Sequence, residues 1–297
     1  MARKTAQDFH PEALQAFDKY VHGDIARRDF LSSVPKYALL GLTAEALLEA
    51  LNPRFAEAQQ IADNDPRIKA SYLEYPSPHG NGKIRGYLVQ PAKAAGKLPI
   101  VLVIHENRGL NPHIQDIARR LALDNFIAFA PDALFTLGGY PGDEDKAREL
   151  FQKLDKDKTQ ADFLAAAQAI KKLQQSNGKL GAVGFCYGGG IVNFLATRIP
   201  DLAAGVPFYG AQPSAEQAAK IKAPLLIHYA GVDDRINAGW PAYEAALQKA
   251  GVNYEAHTYP GVQHGFNNDT TPRYDAGTAK LAWDRTISFF NAYLRDS

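Results

Sequence analysis

Leu180-Gly181-Ala182-Val183-Gly184-Phe185-Cys186-Tyr187-Gly188-Gly189-Gly190 is the stretch that decides the fold. It is a short apolar run, as expected of a strand covered on both faces, and it ends in a cysteine framed by glycines. A strand that stops, turns sharply and enters a helix around Cys186 tolerates only small residues two positions to either side, which Gly184 and Gly188 supply. Such an elbow stands the sulfur clear of the backbone at the top of a sheet. The helix N-terminus beneath it favours thiolate over thiol. Out of such a setting, a lone cysteine is more often an inert small hydrophobe. Cys186 is the single cysteine of the chain, which excludes an internal disulfide framework and a cysteine-based zinc cluster, so it serves either packing or chemistry.

Working outward, the chain alternates strand and helix signals in the manner of a wound parallel sheet. Ser71 to Tyr75 and Ile84 to Val89 alternate around the turn-rich Ser77-Pro78-His79-Gly80-Asn81-Gly82 and predict an antiparallel hairpin. Residues 100–104, 126–130, 180–185, 205–209 and 225–229 are continuous apolar runs, and 253–259 supplies a last, more alternating strand. Helix patterns fall at about 113–124, 143–154, 160–176, 188–199, 238–250 and 275–294. The expectation is an α/β fold with an eight-stranded, mostly parallel sheet and helices on both faces. In such sheets ligands and reacting groups gather beyond the carboxyl ends of the strands. Just past those ends stand His105-Glu106-Asn107-Arg108-Gly109, then Cys186, then Gly231-Val232-Asp233-Asp234-Arg235, and last Gln263-His264-Gly265-Phe266. A cysteine, an acid and a histidine come in that order, each at a strand end, which is the order of nucleophile, acid and base in α/β-hydrolases.

Residues 1–66 differ from the remainder: they are helical in pattern and rich in Ala and Leu. Ala26-Arg27-Arg28-Asp29-Phe30-Leu31-Ser32 resembles a twin-arginine export signal, followed by the moderately apolar Tyr37 to Leu42 and Ala44 to Leu51 and a small-x-small Ala56-Glu57-Ala58. Lys36, Glu45 and Glu49 interrupt the apolar region, at a cost inside an export core. The favoured expectation is therefore a retained helical extension whose Leu39, Leu40, Leu47, Leu48 and Leu51 pack onto the main domain or onto a second copy in a homodimer. Retention places the protein in the cytoplasm, export in the periplasm. Pro53 and Asp63-Asn64-Asp65-Pro66 mark the boundary, with the main domain over 67–297.

Composition narrows the function classes. Lys+Arg 33 against Asp+Glu 32 leaves a net charge of +1, which points to neither nucleic acid nor an anionic membrane surface. No run reaches the roughly eighteen apolar residues that a membrane span needs. The 46% hydrophobic content of 297 residues is ample for a core. Gly188-Gly189-Gly190 lacks the Lys-Ser/Thr tail of a phosphate-binding loop and matches no dinucleotide fingerprint, so it argues for close helix packing and for no cofactor. No metal is expected either, since His105 and His113 have no third ligand at useful spacing.

Over about residues 70–295 the chain resembles the dienelactone hydrolase family. The resemblance rests on Gly184-Phe185-Cys186-Tyr187-Gly188-Gly189, Gly231-Val232-Asp233, Gly261-Val262-Gln263-His264-Gly265-Phe266 and His105-Glu106-Asn107-Arg108-Gly109. It implies a Cys186, His264, Asp233 triad acting on an ester or lactone of a small molecule through an acyl-thioester, and a glutamate, here Glu106, beside the resting thiol. A carboxylate there disfavours the thiolate. The expected oxyanion donors are the backbone N–H groups of Tyr187 and Asn107. Tyr209 matches a tyrosine of the family site, and Trp240, Phe266 and Tyr187 are candidates for the acyl pocket. The chain departs from the dienelactone-cleaving members at Asn268, where those members hold a substrate carboxylate with an arginine. An amide does not replace a guanidinium fork there, which leaves a broad carboxylesterase or thioesterase as the rival expectation, and a non-catalytic binding protein as a remoter one.

Overall fold

Each apolar run becomes a strand with no water on either side. In a computed structural model that describes residues 4–34 and 43–295, β3 (Leu98–Ile104), β4 (Ile127–Pro131) and β6 (Ala204–Phe208) are buried along their whole length. They sit with β5 (Ser176–Phe185), β7 (Leu225–Val232) and β8 (Tyr254–Gln263) behind an edge hairpin of β1 (Ile68–Ser77) and β2 (Gly82–Pro91). The sheet has the order β1-β2-β4-β3-β5-β6-β7-β8. β1 with β2 and β2 with β4 are antiparallel, and the other pairings are parallel. This is the eight-stranded α/β architecture expected, and the parallel crossovers bring the carboxyl ends of β3, β5, β7 and β8 to one rim.

Two apolar layers sandwich the sheet. On one face Ile100, Leu102, Ile104 and Phe129 meet the helices α7 (Lys156–Ile170), α8 (Tyr187–Arg198) and α11 (Trp240–Ala250). On the other, Val101, Val103, Val183 and Val206 meet α5 (Pro112–Leu123) and α12 (Ala276–Leu294). Successive side chains of a strand point to opposite faces, which is why neighbours such as Ile100 and Val101 join different layers.

The N-terminal extension builds a third, smaller core of its own. Its α1 (Pro11–His22), α2 (Arg27–Ser33), α3 (Ala44–Leu51) and α4 (Phe55–Ala58) precede the sheet. Phe17, Tyr20, Phe30, Val34, Leu47, Leu48 and Leu51 are buried together, with Tyr20 stacked on Phe30 at 5.4 Å. Burying each such side chain contributes about 1.5–3 kcal/mol. Leu47, Leu48 and Leu51 therefore pack within the chain itself. Leu39, Leu40 and the rest of the Tyr37 to Leu42 run lie outside the described residues.

The extension is also fastened to the main domain. The Tyr20 hydroxyl donates to Asp145 on α6 (Glu144–Phe151), the Arg148 guanidinium lies 4.5 Å over the Tyr20 ring, and Arg273 lies 5.4 Å over Phe17. Arg27 of the twin-arginine-like stretch pairs with Asp145 at 3.2 Å. No helix among the described residues is long and apolar enough to cross a membrane.

Candidate active site

The elbow is as tight as its glycines predict. Cys186 has φ 55° and ψ −113°, a region that a side chain enters only when its surroundings force it. A Cβ on Gly184 would stand 2.1 Å from the Gly188 carbonyl oxygen, and one on Gly188 would stand 2.2 Å from that of Ile104. The turn therefore closes only with glycine at both places. It leaves Cys186 at the N-terminus of α8, a partly exposed residue whose amide donates to Phe208 O at 3.0 Å.

Strands β7 and β8 deliver an aspartate and a histidine. Asp233 follows β7 and caps α10 (Asp234–Asn237), its Oδ1 accepting from the Ile236 amide at 3.3 Å. Its other oxygen, Oδ2, lies 2.5 Å from Nδ1 of His264, which follows β8. Both side chains are buried. One ring nitrogen of His264 is thus held by a carboxylate. Its Nε2 is buried without a hydrogen-bond partner among the described residues, and a ring nitrogen lies within 4.8 Å of the Cys186 sulfur. Asp234, the carboxylate next to Asp233 in the chain, is exposed.

A second imidazole reaches the same sulfur from the extension. His22, the last residue of α1, places Nε2 3.2 Å from Cys186 Sγ. Its Nδ1 lies 2.7 Å from the carbonyl oxygen of Asp18 and 3.3 Å from that residue's carboxylate. Asp18 is in turn paired with Arg273 at 3.1 Å. The rings of His22 and His264 meet edge to face at 4.8 Å. Sequence reasoning missed His22. The only local sign is the Asp18, His22 spacing of four on one face of an amphipathic helix, which does not say what the histidine will meet.

Charge is set by this layout. Burial by itself pushes the Cys186 thiol up, but the charges of His22 and then His264, with the hydrogen bond from His22, bring it down from 9.0 to about 6. Burial pushes His22 down, yet the facing thiolate and the hydrogen bond to Asp18 outweigh it and raise it from 6.5 to about 10. His264 is raised against its burial by the thiolate and by Asp233. Two helix ends act in the same sense: the sulfur sits at the positive end of α8, which favours its thiolate, and the His22 ring at the negative end of α1, which favours its protonated form. Nitrogens of the two imidazoles and the sulfur all lie within 4.8 Å of one another, a spacing that an ion with a taste for nitrogen and sulfur would also accept.

Comparison with known proteins identifies the family. The family model described as "Dienelactone hydrolase family" matches residues 84–294. The chain belongs to the dienelactone hydrolase family. Among its relatives is a "Putative carboxymethylenebutenolidase" of Escherichia coli O157:H7, 32% identical over 245 residues, which are 77% of this chain and 89% of that protein. "Protein usf" of Aquifex pyrophilus is 37% identical over 223 residues, 71% of this chain and 94% of that one. The crystal structure of a "Putative Dienelactone Hydrolase" from Klebsiella pneumoniae superposes with a TM-score of 0.67 at 29% identity, covering 76% of this chain and all of that one. The protein is thus a hydrolase of α/β-hydrolase fold. A separate model, "YqhI-like", matches residues 1–36, the segment that carries His22.

Within this dienelactone hydrolase family member the remaining candidates sort by where they point. Two cavities flank the sulfur. One of about 240 Å³ is lined by His22, Asn107, Arg148, Cys186, Tyr187, Tyr209, Arg235 and His264, among others, and a narrow one of about 40 Å³ runs past Glu106, Arg108 and Asn268. Tyr209 takes φ 37° and lays its ring 4.8 Å from that of His264. Tyr187 opens α8 and stacks on His105 at 6.1 Å. Asn107 follows β3 and donates its side-chain amide to the Val21 carbonyl.

Trp240 and Phe266, candidates for the pocket, line neither cavity. Trp240 packs against Tyr229, Tyr243 and Tyr254, and Phe266 against Phe208, Tyr209 and Tyr259, because α11 and the turn after β8 aim both rings into the apolar layers. The Glu106 carboxylate accepts from the Asn268 amide at 2.8 Å, while the sulfur's hydrogen bond comes from His22. His105 and His113 do structural work: His105 lies against the Ala133 amide, and His113 pairs with Asp269 at 3.1 Å.

Proposed function

We propose that the protein hydrolyses an ester or lactone bond of a small molecule through an acyl-thioester on Cys186. The observation that carries this reading is the Asp233, His264 pair held beside the elbow sulfur. His264 accepts the thiol proton, and the thiolate attacks the ester carbonyl. The developing oxyanion takes hydrogen bonds from the backbone N–H groups of Tyr187 and Asn107, and His264 then protonates the leaving alkoxide. Water, deprotonated by the same ring, attacks the thioester and returns the sulfur. Asp233 fixes the tautomer throughout. The reaction calls on no cofactor. Tyr209 forms part of the wall beside the base.

A cavity of about 240 Å³ suits a small acyl group. Asn268, standing where dienelactone-cleaving members carry an arginine, is already bonded to Glu106. That favours a second reading, a carboxylesterase or thioesterase with no lactone preference. A cytoplasmic site of action fits a catalytic thiol that must stay reduced. The test is Cys186→Ala with p-nitrophenyl acetate and a panel of lactones and esters with and without a free carboxylate. Hydrolysis should disappear for every substrate, and retained turnover would move the active site elsewhere.

A further inference from the structure

The Asp18, His22 pair has the same parts as the Asp233, His264 pair and faces the same sulfur. We propose that His22 is a second catalytic histidine, an imidazolium from the N-terminal extension that donates an Nε2–H hydrogen bond to the Cys186 thiolate and makes the extension part of the active site. The proposal rests on Cys186 being the nucleophile.

Geometry carries it. Nε2 stands 3.2 Å from the sulfur, within hydrogen-bonding reach, and Nδ1 is held on Asp18, so the ring is oriented at both nitrogens. Asp18 is also paired with Arg273, which covers Phe17. Phe17 and Tyr20, on either side of Asp18, are buried in the extension's core, so the turn that ends in His22 is anchored. Asn107 and Arg108, from the loop after β3, both donate to the carbonyl of Val21, tying the residue before His22 to the active-site rim. Glu106, the acidic neighbour expected at the thiol, bonds Asn268 instead.

The charged and titratable groups around His22 are Asp18 on its own helix, Cys186 on α8, His264 and Arg273 from the loop after β8, and Arg235 on α10. Arg148 lines the larger cavity, and Glu106, Glu144 and Asp145 the smaller. Arg235 Nη2 stands 3.1 Å from the same Nε2. A guanidinium can only donate, so a proton on Nε2 requires the exposed Arg235 side chain to swing away from this 3.1 Å position. Helix polarity and the raised pKa of His22, to about 10, agree with a standing positive charge.

The division of labour balances. The Cys186 proton goes to His264, and the thiolate remains facing protonated His22. Its electron pair forms the bond to the acyl carbon. The ester C–O bond breaks onto the alkoxide, which takes the proton from His264. Water then gives one proton to His264 as its oxygen bonds to the thioester carbon, and the C–S bond breaks back onto sulfur. His22 keeps its proton from start to finish. It acts by lowering the cost of the sulfur's charge, so the thiol is ionised before substrate arrives.

The test is the pH dependence of iodoacetamide labelling on full-length, chelator-treated protein, for the unaltered chain, His22→Gln, Asp18→Asn and, as a control for site, Cys186→Ala. Shielding by the extension changes the plateau rate, whereas ionisation sets the midpoint, so the midpoint is what decides. It should lie near pH 6 in the unaltered protein and rise by about one unit or more in His22→Gln, a loss of labelling at pH 6 of about fivefold or more. Asp18→Asn should move it the same way by less, and serves if His22→Gln does not fold. Midpoints unchanged by either substitution, or a midpoint already near that of a free thiol, would overturn the proposal. Should Cys186→Ala keep its hydrolytic activity, the nucleophile is wrong. If that variant is inactive while His22→Gln labels like the parent, only the role of His22 fails.

Discussion

Two imidazole–carboxylate pairs converge on one sulfur, and they are built in opposite ways. Asp233 and His264 are 31 residues apart and come from the ends of adjacent strands β7 and β8, so the sheet itself sets their spacing. Asp18 and His22 are one helical turn apart, and their helix meets a cysteine 164 residues further along. The first pair depends on the hydrogen-bonded register of a buried sheet. The second depends on how well a small helical cluster docks. A site can thus join a rigid half to a half held by packing, ion pairs and hydrogen bonds across a docked surface.

The first way to break the comparison is His264→Ala, which removes the base of the rigid half. The kcat for p-nitrophenyl acetate should fall about 10²–10⁴-fold, well beyond the effect of His22→Gln. If the two substitutions cost the same, the pairs are equivalent and the assignment of base to His264 is wrong. Phe17→Ala attacks the docked half instead. Truncating a buried phenylalanine typically costs about 3–5 kcal/mol. Limited proteolysis should then cut within residues 1–66 while the sheet persists, and the labelling midpoint should climb as it does in His22→Gln. A cluster that stays resistant to protease would mean that other contacts hold α1. The smallest effect is expected from Trp240→Phe, since Trp240 lines neither cavity. The ratio kcat/KM should stay within about twofold, and a larger drop would return that ring to the pocket.

What the sequence discloses tracks how local the cause is. The apolar runs of the parallel strands, the glycines flanking Cys186 and the strand-end positions of Asp233 and His264 all come from short-range rules of burial, turn geometry and crossover topology. Gly184 and Gly188 are legible because their Cβ atoms would meet backbone, whatever else surrounds them. Trp240 is misjudged because its place depends on how α11 rolls against Tyr229 and Tyr243, and an aromatic near a motif carries no mark of the direction it faces. The position of Glu106 is legible, but its engagement with Asn268 is not, since one hydrogen bond across 162 residues decides it. His22 lies furthest from view. The amphipathic α1 buries Leu14 and Phe17, and nothing in such a pattern names the surface that receives its last turn.

The ion pair between Asp18 and Arg273 spans 255 residues of chain. During synthesis α1 therefore leaves the ribosome long before the loop that receives it, and while Phe17 and Tyr20 have Phe30, Leu47, Leu48 and Leu51 at hand, the Arg273 contacts arrive only with the last tenth of the polypeptide. Closure of the active site is then among the final events of folding, and the slow entropic cost of joining distant segments falls on the step that seats His22. A chain released early would carry a formed elbow and a sulfur still awaiting its second imidazole.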